Sequence, residues 1–275
     1  MLRLGWFSSG RGPGSRDLLR TVMEKKKEGV LDVNIEFVFC NWDNNEEPNT
    51  RKEQREQFFA MVRGYGIPLV TASWKTFRPD IWEKDQTEWR NEYGKEMRSL
   101  LSGYEFELGI LAGYMLWVDD DTCEEYDLIN LHPALPSGPK GTWQEVIWKL
   151  IEEDADEHGI MIHLCTKEWD RGSALTYCGF PIRGPAYDEL WNGMREKLRT
   201  RTMEQIRAEE GEKEPLFAMM RKDGARRELP LIVSTIKQFA EGNLKMKEQK
   251  AYHNNRPLNG PFDLSHDVND SIDGE

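Results

Sequence analysis

The sequence predicts an α/β fold in which helices flank a mostly parallel central sheet. Short apolar runs of strand length alternate with longer amphipathic stretches of helical period. The first run, Leu2 to Phe7, enters a glycine-rich turn and then a helix that begins near Arg16. Polar residues follow two later runs, at the strand ends where open parallel sheets bind ligands. We therefore expect one α/β domain over residues 1–260.

The first loop, Ser8 to Ser15, has the composition of a phosphate-binding turn. Its glycines let the backbone approach an anion, and the following helix supplies free amides and a favourable dipole. An ordinary flexible loop accounts for the same composition equally well. The match to the dinucleotide fingerprint is imperfect, which disfavours a NAD site. Arg11 and Arg16 either strengthen an anion site or mark a different substrate.

The next elements alternate between strand and helix. We predict them at Asn34 to Cys40, Arg51 to Tyr65, Gly66 to Val70, Gln86 to Ser102 and Phe106 to Met115. The helical spacing of Phe58 and Phe59 indicates core packing. The last of these strands breaks at Gly113, and Met115 taken alone is best explained as a core residue.

A buried strand predicted at Tyr126 to Leu131 stops just before His132, because prolines at 133 and 136 prevent its continuation. Asn130 and His132 are two residues apart, so in an extended chain they point to the same side. The amide can stabilise an acyl oxygen that gains negative charge, and the imidazole can accept a proton from a nucleophile. An isolated pair of this kind would more simply cap a turn.

Two further strands are predicted downstream, at Gly159 to Leu164 and at Ser173 to Phe180. The polar loop between them contains Asp170, which can orient the His132 ring and stabilise its protonated form. His163, within the first of these strands, is interpreted as a buried, hydrogen-bonded histidine.

The combination of Asn130-x-His132-Pro133, the strand from Gly159 and Asp170-x-Gly172 resembles the folate-dependent formyltransferases. The branch that acts on glycinamide ribonucleotide is the most similar. The resemblance implies a Rossmann-like formyltransferase fold with a helical insertion and a C-terminal strand extension. It also implies an enzyme that transfers a formyl group from 10-formyltetrahydrofolate to the primary amine of a small phosphorylated substrate in purine biosynthesis. In that family the Asn, His and Asp of these motifs form the catalytic trio.

The Leu-Ala-Gly-Tyr-Met segment at positions 111–115 matches the same family. The resemblance implies catalysis by Asn130, His132 and Asp170. It implies donor binding by Met115, Leu116, Trp117, Val118 and Asp170. The residues expected to bind the amine substrate are Ser9, Gly10, Arg11, Gly12, Ser15, Arg16, Gly113, Pro133, Arg226 and Arg227.

The chain departs from the family pattern at three places. Pro13 and Gly14 are inserted in the glycine loop, and Leu116 stands where the family commonly has arginine. Residues 184–227 form a divergent helical insertion that lacks a clear counterpart of the glutamate that binds the ribosyl group. The cations around Arg226 and Arg227 can hold a phosphate or can be solvated surface residues, with equal support.

These departures leave other acceptors open. One alternative is a formyltransferase that acts on another amine, such as an amino sugar nucleotide. The other is a formyltetrahydrofolate hydrolase, in which water replaces the amine.

The composition narrows the remaining possibilities. The net charge of −12 disfavours nucleic acid as a partner. No apolar run approaches the roughly 20 residues that cross a membrane. Four cysteines without metal-type spacing indicate reduced thiols of a cytoplasmic protein and no metal site. We expect a small-molecule amine as the partner, with a homodimer possible, and a disordered tail over residues 261–275.

Overall fold

The computed structural model describes residues 1–43, 50–166, 172–247 and 250–273. Its strands are β1 (Leu2–Ser8), β2 (Val33–Cys40), β3 (Leu69–Thr71), β4 (Leu108–Leu111), β5 (Leu128–His132), β6 (Glu157–Leu164), β7 (Ala174–Pro181), β8 (Leu244–Lys247), β9 (Lys250–His253), β10 (Arg256–Pro257) and β11 (Phe262–Asp263). Its helices are α1 (Pro13–Lys27), α2 (Thr50–Gly64), α3 (Pro79–Trp82), α4 (Gln86–Leu101), α5 (Asp120–Glu125), α6 (Trp143–Glu152), α7 (Asp188–Leu198), α8 (Met203–Glu209), α9 (Pro215–Ala240) and α10 (Ser265–Asp273), with a short 3₁₀ turn at Gly211–Lys213.

Eight strands form one sheet in the order β11-β7-β6-β5-β4-β1-β2-β3. Strand β1 runs parallel to β2 and β4, and the pairs β2–β3, β4–β5 and β7–β11 are also parallel. The predicted mostly parallel sheet is therefore confirmed. Strands β8, β9 and β10 form a separate antiparallel sheet near the C-terminal end. This sheet is the strand extension that the resemblance implied. Within the described ranges, no helix is both long and apolar enough to span a bilayer.

The chain packs as two compact units. Unit 1 comprises Met1–Asn130, His163–Ser173 and Thr235–Asn259, and unit 2 comprises Leu131–Ile162, Ala174–Ser234 and Gly260–Glu275. An aromatic cluster forms much of the core of unit 1; its members include Phe7, Phe37, Phe39, Trp89 and Tyr114. In unit 2 the apolar faces of the helices meet; the buried members there include Ile147, Trp148, Trp191, Leu216 and Phe217.

Helix α1 begins at Pro13, earlier than the predicted start near Arg16. Proline suits the first helical position because its missing N–H would have no intrahelical partner there. Gly12 is the N-cap residue and offers no side-chain acceptor. The residues that we assigned to the glycine loop therefore lie partly in the loop and partly in the helix. Ser15 and Arg16 belong to the first turns of α1.

The divergent insertion contains several helices, although the charged stretch from Tyr187 to Glu210 is long enough for one. The chain forms α7 and α8, because Thr202 and Gln205 make a capping box that starts a new helix. Conversely, α9 continues through Pro230, although proline usually ends a helix. Proline removes one backbone hydrogen bond, but buried apolar residues on both sides, such as Met220 and Leu231, hold the helix together.

The tail is also more ordered than predicted. Residues Phe262–Asp263 pair with β7, and α10 follows them. Ser265 Oγ accepts a hydrogen bond from the backbone N–H of Gly179 at 2.9 Å, and Leu264 and Val268 are buried. These apolar contacts outweigh the polar composition that indicated disorder.

Candidate functional site

Two loops at neighbouring strand ends are joined in unit 1. Strands β1 and β4 are parallel neighbours, so the residues after Ser8 and after Leu111 emerge at the same edge. The backbone N–H of Ser9 donates to the Gly113 carbonyl at 3.1 Å, and the Met115 N–H donates to Ser9 Oγ at 2.9 Å. The predicted substrate loop and the predicted donor-binding segment are thus held together by one buried serine.

The backbone of both loops depends on glycine. Gly10 has φ of +58° and Gly113 has φ of +68°, values that side-chain-bearing residues rarely adopt. A Cβ atom on Gly113 would lie 3.3 Å from Ser15 Oγ. Gly113 and Ser15, both predicted to bind the substrate, are therefore neighbours in the structure.

A cavity of about 20 Å³ lies beside these loops in unit 1. Leu116, Trp117, Val118 and Asn130, all predicted site residues, line it. The other lining residues are Leu111, Tyr114, His163, Cys165 and Thr166. The walls combine apolar side chains with an amide, an imidazole and a hydroxyl, a composition that is typical of small-molecule sites.

A pterin ring fits this chemistry but not this volume, since ligand pockets usually enclose about 300 Å³ or more. If this cavity receives the pterin of the predicted donor, its wall must first move. Trp117 is 41% exposed and stacks under the Arg90 guanidinium at 4.0 Å, whereas Val118 is buried. The exposed indole is the part of the wall that is least restrained by core packing.

Asn130 and His132 both lie on β5, and His132 is its last residue rather than the first residue beyond it. Asn130 is half-buried at the cavity, and His132 is buried. The Nε2 atom of His132 lies 3.3 Å from the Pro139 carbonyl oxygen. Because a carbonyl only accepts, this nitrogen carries the proton, and in the neutral ring Nδ1 is the basic nitrogen.

His163 has a more direct relation to the cavity than the sequence indicated. Its Nδ1 donates to the Leu164 carbonyl at 3.0 Å, which leaves Nε2 as an acceptor in the neutral ring. The residue is buried and is one of the cavity-lining side chains. Our interpretation as a hydrogen-bonded buried histidine is compatible with this position.

The predicted catalytic residue Asp170 lies outside the described residues. Its expected partner, His132, belongs to unit 2. The role of Asp170 in catalysis and donor binding therefore stays a prediction.

Two arginines of the first loop have different surroundings. Arg16 Nη1 donates to the Gln54 backbone carbonyl at 3.1 Å, which ties α1 to α2. Arg11 is partly buried, and burial together with the nearby Arg51 and Arg55 lowers its pKa. The side chain of Arg55 packs against Gly10, so the loop has positive charge behind it.

Arg226 and Arg227 lie on α9 in unit 2. Arg227 donates to Asn269 Oδ1 at 3.0 Å and to the Asp223 carbonyl at 2.8 Å, and its guanidinium lies 4.0 Å from the centre of the Phe180 ring. Arg226 is exposed. Their predicted binding to the substrate, like that of Gly12 and Pro133, stays a prediction.

Four cavity-lining residues were not predicted to belong to the site: Leu111, Tyr114, Cys165 and Thr166. Their positions in the sequence are the only signal, because Leu111 and Tyr114 fall within the family-like segment and the other two directly follow β6. Within the described ranges, no cluster of three or more His, Cys, Asp or Glu side chains could hold a metal ion.

The family model described as "Formyl transferase" matches residues 9–190. The phosphoribosylglycinamide formyltransferase of Haemophilus influenzae is 25% identical over 94% of this chain and 96% of its own length. Alignments with curated relatives of the same name cover between 50% and 96% of those proteins. The alignment with the Dictyostelium discoideum protein covers only half of that protein's length.

Solved structures show the same fold. The phosphoribosylglycinamide formyltransferase of Coxiella burnetii has a TM-score of 0.63 at 17% identity, covering 95% of this chain and 99% of that one. A formyltetrahydrofolate deformylase from Pseudomonas syringae pv. tomato has a TM-score of 0.58 at 16% identity, covering 92% and 65%. The family model spans more than half of the chain, from the glycine loop to α7. The chain therefore belongs to the formyl transferase family.

Proposed function

We propose that this protein transfers the formyl group of 10-formyltetrahydrofolate to the primary amine of glycinamide ribonucleotide. The observation that carries the proposal is the pair of hydrogen bonds by which Ser9 joins the glycine loop to residues 113–115. This connection holds the glycine loop, which would bind the phosphate, next to the segment that lines the cavity. A phosphorylated amine and a folate would need such neighbouring sites. The names of the curated relatives support the same acceptor.

In this proposal the donor supplies the formyl group, and the protein supplies hydrogen bonds and a base. Asn130 lines the cavity and offers an amide N–H to the acyl oxygen as negative charge develops there. The backbone around Gly10 and Gly12 and the amino end of α1 would hold the phosphate.

His132 would accept the proton that leaves the attacking amine. Its Nε2 is directed to the Pro139 carbonyl, so the ring is held in a defined orientation. Asp170 would stabilise the protonated ring, as the family resemblance implies. The protonated ring would then give this proton to N10 of the donor as tetrahydrofolate leaves, so no further reactant is required.

Hydrolysis of formyltetrahydrofolate is the second candidate. The likeness to the Pseudomonas deformylase supports it only at the level of the fold. The glycine loop favours the amine acceptor, because a hydrolase has no phosphate on its second reactant, water.

The test is tetrahydrofolate release from 10-formyltetrahydrofolate with glycinamide ribonucleotide, with its unphosphorylated ribonucleoside, and without acceptor. We expect turnover that depends on the ribonucleotide and a much higher KM for the ribonucleoside. Equal turnover without acceptor would identify a hydrolase. Equal KM values for both acceptors would contradict a phosphate site in the glycine loop.

A further inference from the structure

Two thiols lie side by side at the wall of the cavity. The Sγ atoms of Cys123 and Cys165 are 3.8 Å apart. Cys123 lies on α5 and is buried, and Cys165 directly follows β6 and is half-buried. Cys165 also lines the cavity together with Asn130 and Trp117. Both cysteines belong to unit 1.

The thiols are close enough for a disulfide to form with a small movement. A disulfide requires an S–S distance of about 2.05 Å, so the sulfurs must approach each other by less than about 2 Å. Rotation about the Cα–Cβ bonds of two adjacent cysteines can supply displacements of this size.

One thiol lies on a helix whose start is fixed by an ion pair, and the other lines the cavity. Asp119, the N-cap residue of α5, is buried and forms an ion pair with Arg98 at 2.6 Å. Cys165 is half-buried, and its backbone N–H donates to the Leu128 carbonyl at 2.7 Å. A covalent link would tie this part of the wall to α5.

We propose that Cys123 and Cys165 form a reversible disulfide that hinders ligand entry into the cavity. The cavity must widen to admit a pterin, and the link restrains one of the residues that line it. The effect on folate binding rests on the proposed function, whereas formation of the disulfide does not. Intracellular disulfides of this kind are usually transient and redox-sensing.

The oxidant in this proposal is hydrogen peroxide. The more exposed sulfur, that of Cys165, attacks peroxide and becomes a sulfenic acid, and one oxygen leaves as water after protonation. The Cys123 sulfur then attacks the sulfenic acid, the S–S bond forms, and a second water leaves. The two thiols lose two electrons and two protons in total, and peroxide is reduced to two waters.

Burial and the adjacent thiol affect the order of these events. The thiol of Cys165, burial and the nearby Asp119 and Asp120 raise the pKa of Cys123. Cys123 is therefore the less reactive of the two thiols toward peroxide, which makes it the resolving partner.

The first experiment treats the reduced full-length protein with limited hydrogen peroxide and maps its peptides by mass spectrometry without reduction. We expect a peptide pair linked through Cys123 and Cys165, with the loss of two hydrogen atoms, and its release by dithiothreitol. Cys165→Ser and Cys123→Ser should abolish the link. Cys178→Ser is the matched control, because Cys178 is buried elsewhere, and it should retain the link.

The second experiment measures tetrahydrofolate binding by calorimetry after the peroxide has been removed. We expect oxidation to weaken binding by about tenfold or more in the wild type and in Cys178→Ser. Oxidation should not change the affinity of Cys165→Ser for tetrahydrofolate. Dithiothreitol should restore the affinity of the oxidised wild type. Absence of the linked peptide, or a complete link without loss of affinity, would overturn the proposal. Failure of the reduced protein to bind tetrahydrofolate would instead overturn the proposed function and the link's effect on it.

Discussion

Ser9 and Met115 are joined by a hydrogen bond in which the Met115 backbone N–H donates to Ser9 Oγ at 2.9 Å. Ser9 is fully buried, and its own N–H donates to the Gly113 carbonyl. One side chain thereby fixes the position of the first loop relative to the segment after β4. Displacement of either loop would be transmitted to the other, which couples the two proposed binding sites.

Replacing Ser9 by alanine should impair donor binding. The substitution removes the acceptor for the Met115 N–H, and loss of one such bond costs about 1 kcal/mol. We expect KM for 10-formyltetrahydrofolate to rise more than kcat falls, with a similar loss in the free energy of unfolding. Steady-state kinetics and urea unfolding measure both. Ser102→Ala, at the exposed end of α4, is the control and should change neither.

Gly10 and Gly14 should respond oppositely to alanine. Gly10 has a left-handed backbone, and an added Cβ would lie 3.1 Å from Arg55 Cγ and 3.2 Å from the Phe58 ring. Gly10→Ala should therefore destabilise the fold by about 1–3 kcal/mol. Gly14 lies in the first turn of α1 with no neighbour within 4 Å of the added atom.

Gly14→Ala should be neutral or raise stability by up to about 1 kcal/mol, because alanine restricts the unfolded chain. Thermal unfolding of both variants gives the comparison. Equal destabilisation by the two substitutions would contradict the described loop conformation.

Asn130→Ala should lower kcat by about a hundredfold or more, since it removes a donor to the developing oxyanion. The half-buried side chain contributes little to the core, so the melting temperature should change only slightly. Asn192→Ala on the surface of α7 is the control. Near-normal turnover of the Asn130 variant would exclude this residue from the mechanism.

Local sequence signals predicted the elements that carry Asn130 and the glycine loop. Apolar runs, glycines and prolines act over a few residues, so the ends of β1 and β5 were predicted to within two residues. Strand β4 was located but ends at Leu111, four residues before the predicted Met115. The start of α1 was three residues too late, because Pro13 was interpreted as part of a loop although proline is favoured at that helical position.

Relations between distant residues could not be predicted in this way. The contact of Ser9 with Met115 depends on β1 and β4 being neighbours in the sheet, and the proximity of Cys123 to Cys165 depends on the packing of α5 near the end of β6. The continuous α9 likewise reflects buried residues on both sides of Pro230, since tertiary packing outweighed the local preference.

His158 should make the fold sensitive to acid. It is buried on β6, its Nδ1 has no hydrogen-bond partner among the described residues, and its ring lies 5.1 Å from that of Phe180. Burial, reinforced by the nearby Arg221 and Arg227, lowers its pKa from 6.5 to about 4. The folded protein therefore holds this imidazole neutral at pH values at which the unfolded chain protonates it.

Between pH 6.5 and about 4 the unfolded state binds one more proton at His158 than the folded state, so stability falls as the pH is lowered. This loss in the free energy of unfolding reaches about 3 kcal/mol at the acidic end of the window and is absent above pH 6.5. Urea unfolding of the wild type and His158→Gln at pH 5 and pH 7 tests this. The wild type should lose more stability than the variant between the two conditions, and the exposed control His266→Gln should behave like the wild type. Equal losses for the wild type and His158→Gln would show that this histidine titrates alike in both states.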